Sequence, residues 1–186
     1  MKFSPATLEP RSQRIKGFTL IELLVVMGII GILMGLLFSG AQQALNSAKK
    51  TTAKNQAVQI TAAINAYETE YGQLPSNGTA TNVGANLVNI LCTTNDTNNN
   101  PRAIIFLESS AWAKGKGGTN SSGFCDPWSN VYSVALDTNY INQLSNMPSQ
   151  SNVGVAPTYG TTLTLHVGVW TVWTNSGRYY LINSWN

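Results

Sequence analysis

The chain has 186 residues, enough for one modest globular domain plus an appendage. Charged side chains make up only 10% of it, which excludes both a charged disordered tail and a nucleic-acid-binding domain. The net charge of +3 sits entirely in the first 17 residues, where Lys2, Arg11, Arg14 and Lys16 face only Glu9; the rest carries seven basic and seven acidic side chains.

A basic flank followed by an apolar run is the pattern that orients a membrane span with the flank in the cytoplasm. Residues 18–38 form that run, with Thr19 and Glu22 its only distinctly polar members. As a helix it rises about 30 Å, the thickness of a bilayer core. A buried soluble helix would need a far larger core to cover an apolar surface on all sides. A secretory signal peptide cut after Ser39-Gly40-Ala41 suits the small residues there. It does not suit the length of the run, or Glu22, whose insertion costs free energy unless the carboxylate finds a partner.

The helix is expected to continue past the membrane. Ala53, Ala57, Ile60, Ile64, Tyr67 and Tyr71 recur at spacings of three and four, one apolar stripe with Lys54, Gln56, Gln59 and Asn65 mostly off it. Gly72 and Pro75 supply a stop. A single helix from about Thr19 to Tyr71 would be on the order of 80 Å long. Gly31-x-x-x-Gly35 permits close helix approach within the apolar part. Beyond Pro75 the chain is rich in Asn, Thr, Ser and Gly. Val83–Leu91 predicts a short helix, Thr93–Asn100 a flexible loop, Ala103–Leu107 a strand or helical turn, and Lys114–Gly123 a solvated loop. No G-x-x-x-x-G-K-[ST] pattern makes that last segment a phosphate cradle. Val131–Leu136, the alternating Leu163–Val169 and Arg178–Ile182 predict strands, with Asn175-Ser176-Gly177 as a turn. His166, the only histidine, falls on the polar parity and is expected at the surface. Cys92 and Cys125 fit no metal spacing and form either a disulfide or two separate buried thiols.

The string Lys16-Gly17-Phe18-Thr19-Leu20-Ile21-Glu22-Leu23-Leu24-Val25-Val26 resembles the processing signal of type IV pilins and type II secretion pseudopilins. A basic leader, a Gly before the cut, a Phe after it and a Glu four residues further on all stand in register. The resemblance implies cleavage between Gly17 and Phe18 by an inner-membrane prepilin peptidase, then N-methylation of Phe18. It also gives Glu22 the role of pairing with the amino terminus of a neighbouring subunit and setting axial register. Many family members carry a helix-breaking proline about 20 residues into the mature chain, where this sequence has Ser39-Gly40. Phe124-Cys125-Asp126-Pro127-Trp128-Ser129-Asn130-Val131-Tyr132 is similar to the Asp-Pro-Trp-Gly-Asn-Pro-Tyr signature of the major pseudopilin, and Leu181–Trp185 to that family's closing pattern. Major pseudopilins also carry an acidic, Gly-rich calcium loop between their last strands. Here that stretch is Thr174-Asn175-Ser176-Gly177-Arg178, without a carboxylate, so the calcium site is expected to be absent or much weakened and no cofactor is expected. A Cys92–Cys125 disulfide is a candidate replacement for its stapling role.

The expected architecture is α+β and pilin-like: a leader at 1–17, a transmembrane assembly helix at 18–38, its periplasmic continuation at 39–72, and a head at 73–186 with C-terminal antiparallel strands. The expected function is a non-enzymatic pseudopilin of a type II secretion system. Its implied partners are the prepilin peptidase, copies of itself, other pseudopilins and the inner-membrane assembly proteins of the machine, with no nucleic acid. A type IV pilus subunit is the structural alternative, although 61 residues after Cys125 place the cysteines too centrally for the usual C-terminal loop. A membrane-anchored enzyme lacks catalytic material, with no recognisable nucleophile elbow. A carbohydrate-binding module would have to use Trp112, Trp128, Trp170, Trp173 and Trp185 as a stacking surface, yet core packing accounts for most of them more simply.

Overall fold

The computed structural model describes residues 17–75, 84–93, 96–150, 152 and 154–185, apart from the side chains of residues 38 and 39. Most of the expected leader, residues 1–16, lies outside the described residues. The chain divides into two compact units, the first ending at Ala44 and the second beginning at Leu45. One helix, α1 (Leu20–Tyr71, 52 residues), contributes to both.

In the first unit every described side chain from Leu20 to Ala44 is exposed. An 18-residue window has mean hydropathy 2.7 and none of it is buried, so the helix is long and apolar enough to cross a membrane.

In the second unit α1 becomes one-sided. Ala53, Ala57, Ile60, Ala63, Ile64 and Tyr67 are buried, the stripe expected from the spacing with Ala63 added. Tyr71 packs at its edge. Gly72 takes φ +70°, and its N–H donates to the Glu68 carbonyl at 2.7 Å. That left-handed cap ends the helix, and a residue without Cβ adopts it at no steric cost. α2 (Ala85–Cys92) follows and buries Leu87, Ile90 and Leu91.

Among the described residues seven strands follow, and they pair with one another antiparallel. β1 (Gly118–Asn120) pairs with β2 (Gly123–Cys125). β3 (Ser133–Leu136), β6 (Val167–Asn175) and β7 (Arg178–Asn183) form the central sheet in the order β3-β6-β7. β4 (Leu144–Ser149) and β5 (Thr158–Leu163) form a separate hairpin. The architecture is α+β and pilin-like, as expected.

The central sheet is covered on both faces. Val134, Val167 and Val169 join the cluster built by α1, α2, Phe124 and Tyr132. Ala135 and Trp170, on the opposite parity, pack with Leu144 and Met147 of β4. Strand β6 is therefore buried on both sides, which explains its nearly unbroken Val-Gly-Val-Trp-Thr-Val-Trp run. The outer edge of β7 is covered by Gln150. Its Oε1 accepts from Leu181 N at 2.8 Å and its Nε2 donates to Tyr179 O at 2.7 Å, which occupies edge groups that would otherwise template another strand.

Several local expectations change. Leu163–Val169 is not one strand: Leu163 ends β5, Val167 starts β6, and the chain bends between them. The bend is held at His166, whose carbonyl accepts from Asp137 N at 2.9 Å. Lys114–Gly123 is not wholly a loop, since it contains β1 and the start of β2. Ala103–Leu107 forms neither strand nor helix; Phe106 N and Leu107 N both donate to the Leu91 carbonyl. Asn100, at the end of the segment read as a flexible loop, is buried. Its side chain accepts from Tyr71 Oη at 2.6 Å and donates to Ile104 O at 2.7 Å and Ile90 O at 3.1 Å.

Candidate functional site

Gly17 and Phe18 both lie exposed just before α1, and among the described residues, chain neighbours aside, no atom approaches within 4 Å of where a Gly17 Cβ would stand. Four residues after Phe18, the Glu22 carboxylate closes a reciprocal cap on the helix start. Thr19 N and Thr19 Oγ1 donate to Glu22 Oε2 at 2.9 and 2.7 Å, and Glu22 N donates to Thr19 Oγ1 at 3.3 Å. This is a capping box, in which a Thr and the Glu three residues on satisfy each other's free N–H groups. The carboxylate thus has local donors one residue from the amino group that cleavage after Gly17 would create.

In the second unit the Asp-Pro-Trp segment is a structural hub. Asp126 is fully buried and all of its side-chain acceptors point at donors. Oδ1 accepts from Trp128 N and Asn130 N, each at 2.8 Å, and Oδ2 accepts from Asn130 Nδ2 at 3.1 Å and Thr171 Oγ1 at 2.9 Å. Pro127 presets the turn, which is closed by Ser129 N donating to Asp126 O at 3.0 Å. Ser129 itself has φ +78°. Trp128 stacks on Trp173 at 4.5 Å and Trp173 on Tyr180 at 4.8 Å, while Lys50 Nζ of α1 sits 4.0 Å from the Tyr180 ring centre. Tyr132 Oη lies 3.0 Å from the Ala53 carbonyl and 2.9 Å from Gln56 Oε1. Burial, with Asp126 and Cys125 as the next largest influences, pushes its hydroxyl pKa well up and keeps it a donor. One short segment therefore clamps α1 to the central sheet at two points. Trp170 and Trp173 are core residues, and the stacked faces of Trp128 and Trp173 turn towards each other, so the five tryptophans do not make one open sugar-stacking surface.

Cys92 and Cys125 are free thiols in this structure, Cys125 the more buried of the two. Burial raises the Cys92 thiol to about 11 and also raises Cys125, where the Asp126 charge adds to the effect. The stretch compared above with the calcium loop of major pseudopilins is a two-residue hairpin turn. Asn175 pairs with Arg178 across it, and Ser176 and Gly177 both take positive φ, 50° and 76°. A turn this tight, with an arginine and no carboxylate, does not fit a calcium cage of six to eight oxygens.

His166 was expected at the surface, but it lies half-buried between two acids. Its Nε2 is 2.9 Å from Glu68 Oε1 of α1 and its Nδ1 is 3.2 Å from Asp137 Oδ2 at the end of β3. Parity failed here because the residue sits in the bend between β5 and β6 and not within a strand. Thr19, Asn100, Ser129 and Thr171 were also missed. Of these, only Thr19, three residues before Glu22, carried a sequence signal.

Residues 12–38 match the prokaryotic N-terminal methylation motif. The chain thus carries the N-terminal motif that marks type IV pilin-like subunits, on a fold with the long helix and small antiparallel sheets of that class. No curated protein and no solved structure matches it.

Proposed function

We propose that this chain is a non-enzymatic subunit of a periplasmic pseudopilus in a type II secretion system. A prepilin peptidase cuts between Gly17 and Phe18, Phe18 is N-methylated, and Glu22 exchanges its local Thr19 donors for the amino terminus of a neighbouring copy as subunits enter the filament. The subunit waits in the inner membrane with leader cytoplasmic and head periplasmic, and meets other pseudopilins and the assembly proteins of the machine. No resident calcium serves the β6–β7 turn.

The observation that carries assignment to a pseudopilus, beyond pilin-like subunits in general, is the buried Asp126-Pro127-Trp128 turn. The residues that resemble the major-pseudopilin signature are the ones that clamp helix to sheet. N-terminal mass spectrometry of the membrane fraction should find a methylated Phe18 terminus, and an intact Met1 or a start at Gln42 would sink the processing step. Deleting the gene should trap folded exoproteins in the periplasm. Loss of surface filaments with secretion intact would instead assign the chain to a type IV pilus.

A further inference from the structure

Five of the seven basic side chains that follow Gly17 belong to one end of the second unit, where α1 enters it: Lys49, Lys50, Lys54, Lys114 and Lys116. On α1, Lys50 and Lys54 are one turn apart and line an open cleft with Gln150 and Trp185. Lys49 lies on the other flank of the buried Ala53–Ala57 stripe, where its Cε is 3.6 Å from the place a Gly115 Cβ would occupy. The loop carrying Lys114 and Lys116 is fastened there by Gln56 Nε2, which donates to Lys116 O at 2.7 Å, and by Gly115 N, which donates to Pro127 O at 3.1 Å. The loop that carries Lys114 and Lys116 therefore lies against the turns of α1 that carry Lys49, Lys50 and Lys54.

Among the described residues none of the five makes an ion pair; Lys50 is engaged by aromatic rings and not by a carboxylate. The nearby acids are Glu108, exposed across a small cleft from Lys116, and Asp126, buried and saturated with donors. The other acids of the unit are already engaged. Glu68 and Asp137 face His166, Glu70 pairs with Arg102, and Asp96 is held by Asn99. A second copy thus offers few free carboxylates to this surface. The lysines are also costly where they stand: three of them fall within 20 residues of the apolar run, on the side opposite the leader, against the charge bias that orients a span.

Lys49 comes eleven residues after position 38, where the apolar run ends. We infer that this lysine collar is a docking surface for anionic phospholipid headgroups, holding the head of the unassembled subunit against the periplasmic leaflet. The inference rests on the membrane-anchored reading of residues 18–38. Each lysine near an anionic surface contributes about 1 kcal/mol, roughly a fivefold factor, and the effect fades beyond a Debye length. Tethering by the span makes even a weak attraction effective, because binding becomes intramolecular. Release on assembly would then be favoured by salt and by neutral lipid.

The test uses the full chain inserted in vesicles of phosphatidylcholine with or without phosphatidylglycerol, with an uncharged amine-acetylating reagent read by peptide mass spectrometry. Lys49, Lys54, Lys114 and Lys116 should acetylate about fivefold more slowly in the anionic bilayer, and added salt should restore the rate. Lys114→Glu with Lys116→Glu alters two exposed side chains and leaves lipid charge unchanged. It should abolish the protection of Lys49 and Lys54, which separates docking from the surface potential itself. Equal rates in both bilayers would overturn the collar. So would protection that ignores lipid charge and grows with protein density, since a second copy would then be the occupant. A chain that alkali extracts from the vesicles would overturn the anchoring as well, whereas a firmly inserted chain with unprotected lysines would overturn docking alone.

Discussion

Thr171 in the middle of β6 donates its hydroxyl to the buried Asp126 carboxylate at 2.9 Å, across 45 residues of sequence. This bond ties the turn before β3 to the central strand, and with Trp128 on Trp173 it fixes the turn at two successive inward positions of β6. Asp126→Ala would leave the Trp128 and Asn130 N–H groups, the Asn130 amide and the buried Thr171 hydroxyl without their acceptor, and should cost about 3 kcal/mol or more. Thr171→Val removes one donor from a carboxylate that keeps three others, and should cost about 1.5 kcal/mol. Urea unfolding of the detergent-solubilised chain, followed by tryptophan fluorescence, checks the order. A smaller loss for Asp126→Ala than for Thr171→Val would refute the hub.

Ser129 stands where the similar signature has glycine, and its φ of +78° shows what a glycine does there. A left-handed conformation costs an L residue about 1–2 kcal/mol. Glycine removes that strain but adds about 0.4–1 kcal/mol of unfolded-state entropy. Ser129→Gly should therefore stabilise the head by about 0.5 kcal/mol, a rise in Tm of about 1–2 °C for a chain of this size. A fall in Tm would mean the Ser129 hydroxyl has a role that the backbone does not reveal.

The residues that were legible from sequence are those whose pattern is local. The apolar run, the α1 stripe, the Gly72 stop and the Asn175–Gly177 turn all declare themselves within a few positions. Strands β4 and β5 do not, because Leu144–Ser149 and Thr158–Leu163 are polar on the exposed side and irregular in register, with shifts between Leu144, Met147 and Ser149. His166 and Asn100 misled for a different reason. Each is polar yet inside, and the partners that make burial tolerable lie 98 and 29 residues away in sequence, at Glu68 and Tyr71. At the start of α1, Glu22 stands out in the sequence as a misplaced charge, while its Thr19 cap does not.

His166 faces a carboxylate at each ring nitrogen, Glu68 Oε1 at 2.9 Å and Asp137 Oδ2 at 3.2 Å. Burial alone would raise the Asp137 carboxyl. The amide N–H groups of Asn142 and Ile141, together with His166, outweigh it and hold the carboxyl below its usual value. A folded-state value that is depressed contributes stability above the unfolded value of about 4, and that stability is lost as pH falls through the folded value. The head should therefore weaken in acid below about pH 4. Asp137→Asn should flatten that acid limb while lowering stability near neutrality. An unchanged acid limb in Asp137→Asn would place the titrating carboxylate elsewhere.

The two thiols should be silent in the folded head. With Cys92 raised to about 11 and Cys125 raised and buried, few thiolates exist at pH 8. Iodoacetamide should modify neither at an appreciable rate until the chain is unfolded. Under non-reducing conditions the unfolded chain should then gain two carbamidomethyl groups. A gain of none, restored to two by prior reduction, would show that Cys92 and Cys125 are bridged.

Glu22 has two separable roles, and the capping geometry shows how to part them. Glutamine at the third helical position still accepts from Thr19, so Glu22→Gln keeps a capping box while removing the charge. Glu22→Ala removes both, at a cap cost of about 1 kcal/mol. If pairing with the Phe18 amino group of a neighbour drives assembly, both variants should insert in the membrane and be processed, and both should fail to form filaments to a similar degree. If the local cap is what matters, Glu22→Gln should assemble nearly as well as the parent chain and only Glu22→Ala should fail. Counting sheared filaments against the membrane pool of processed subunit distinguishes the two. Assembly-competent Glu22→Gln would remove the charge-pairing step from the proposed mechanism.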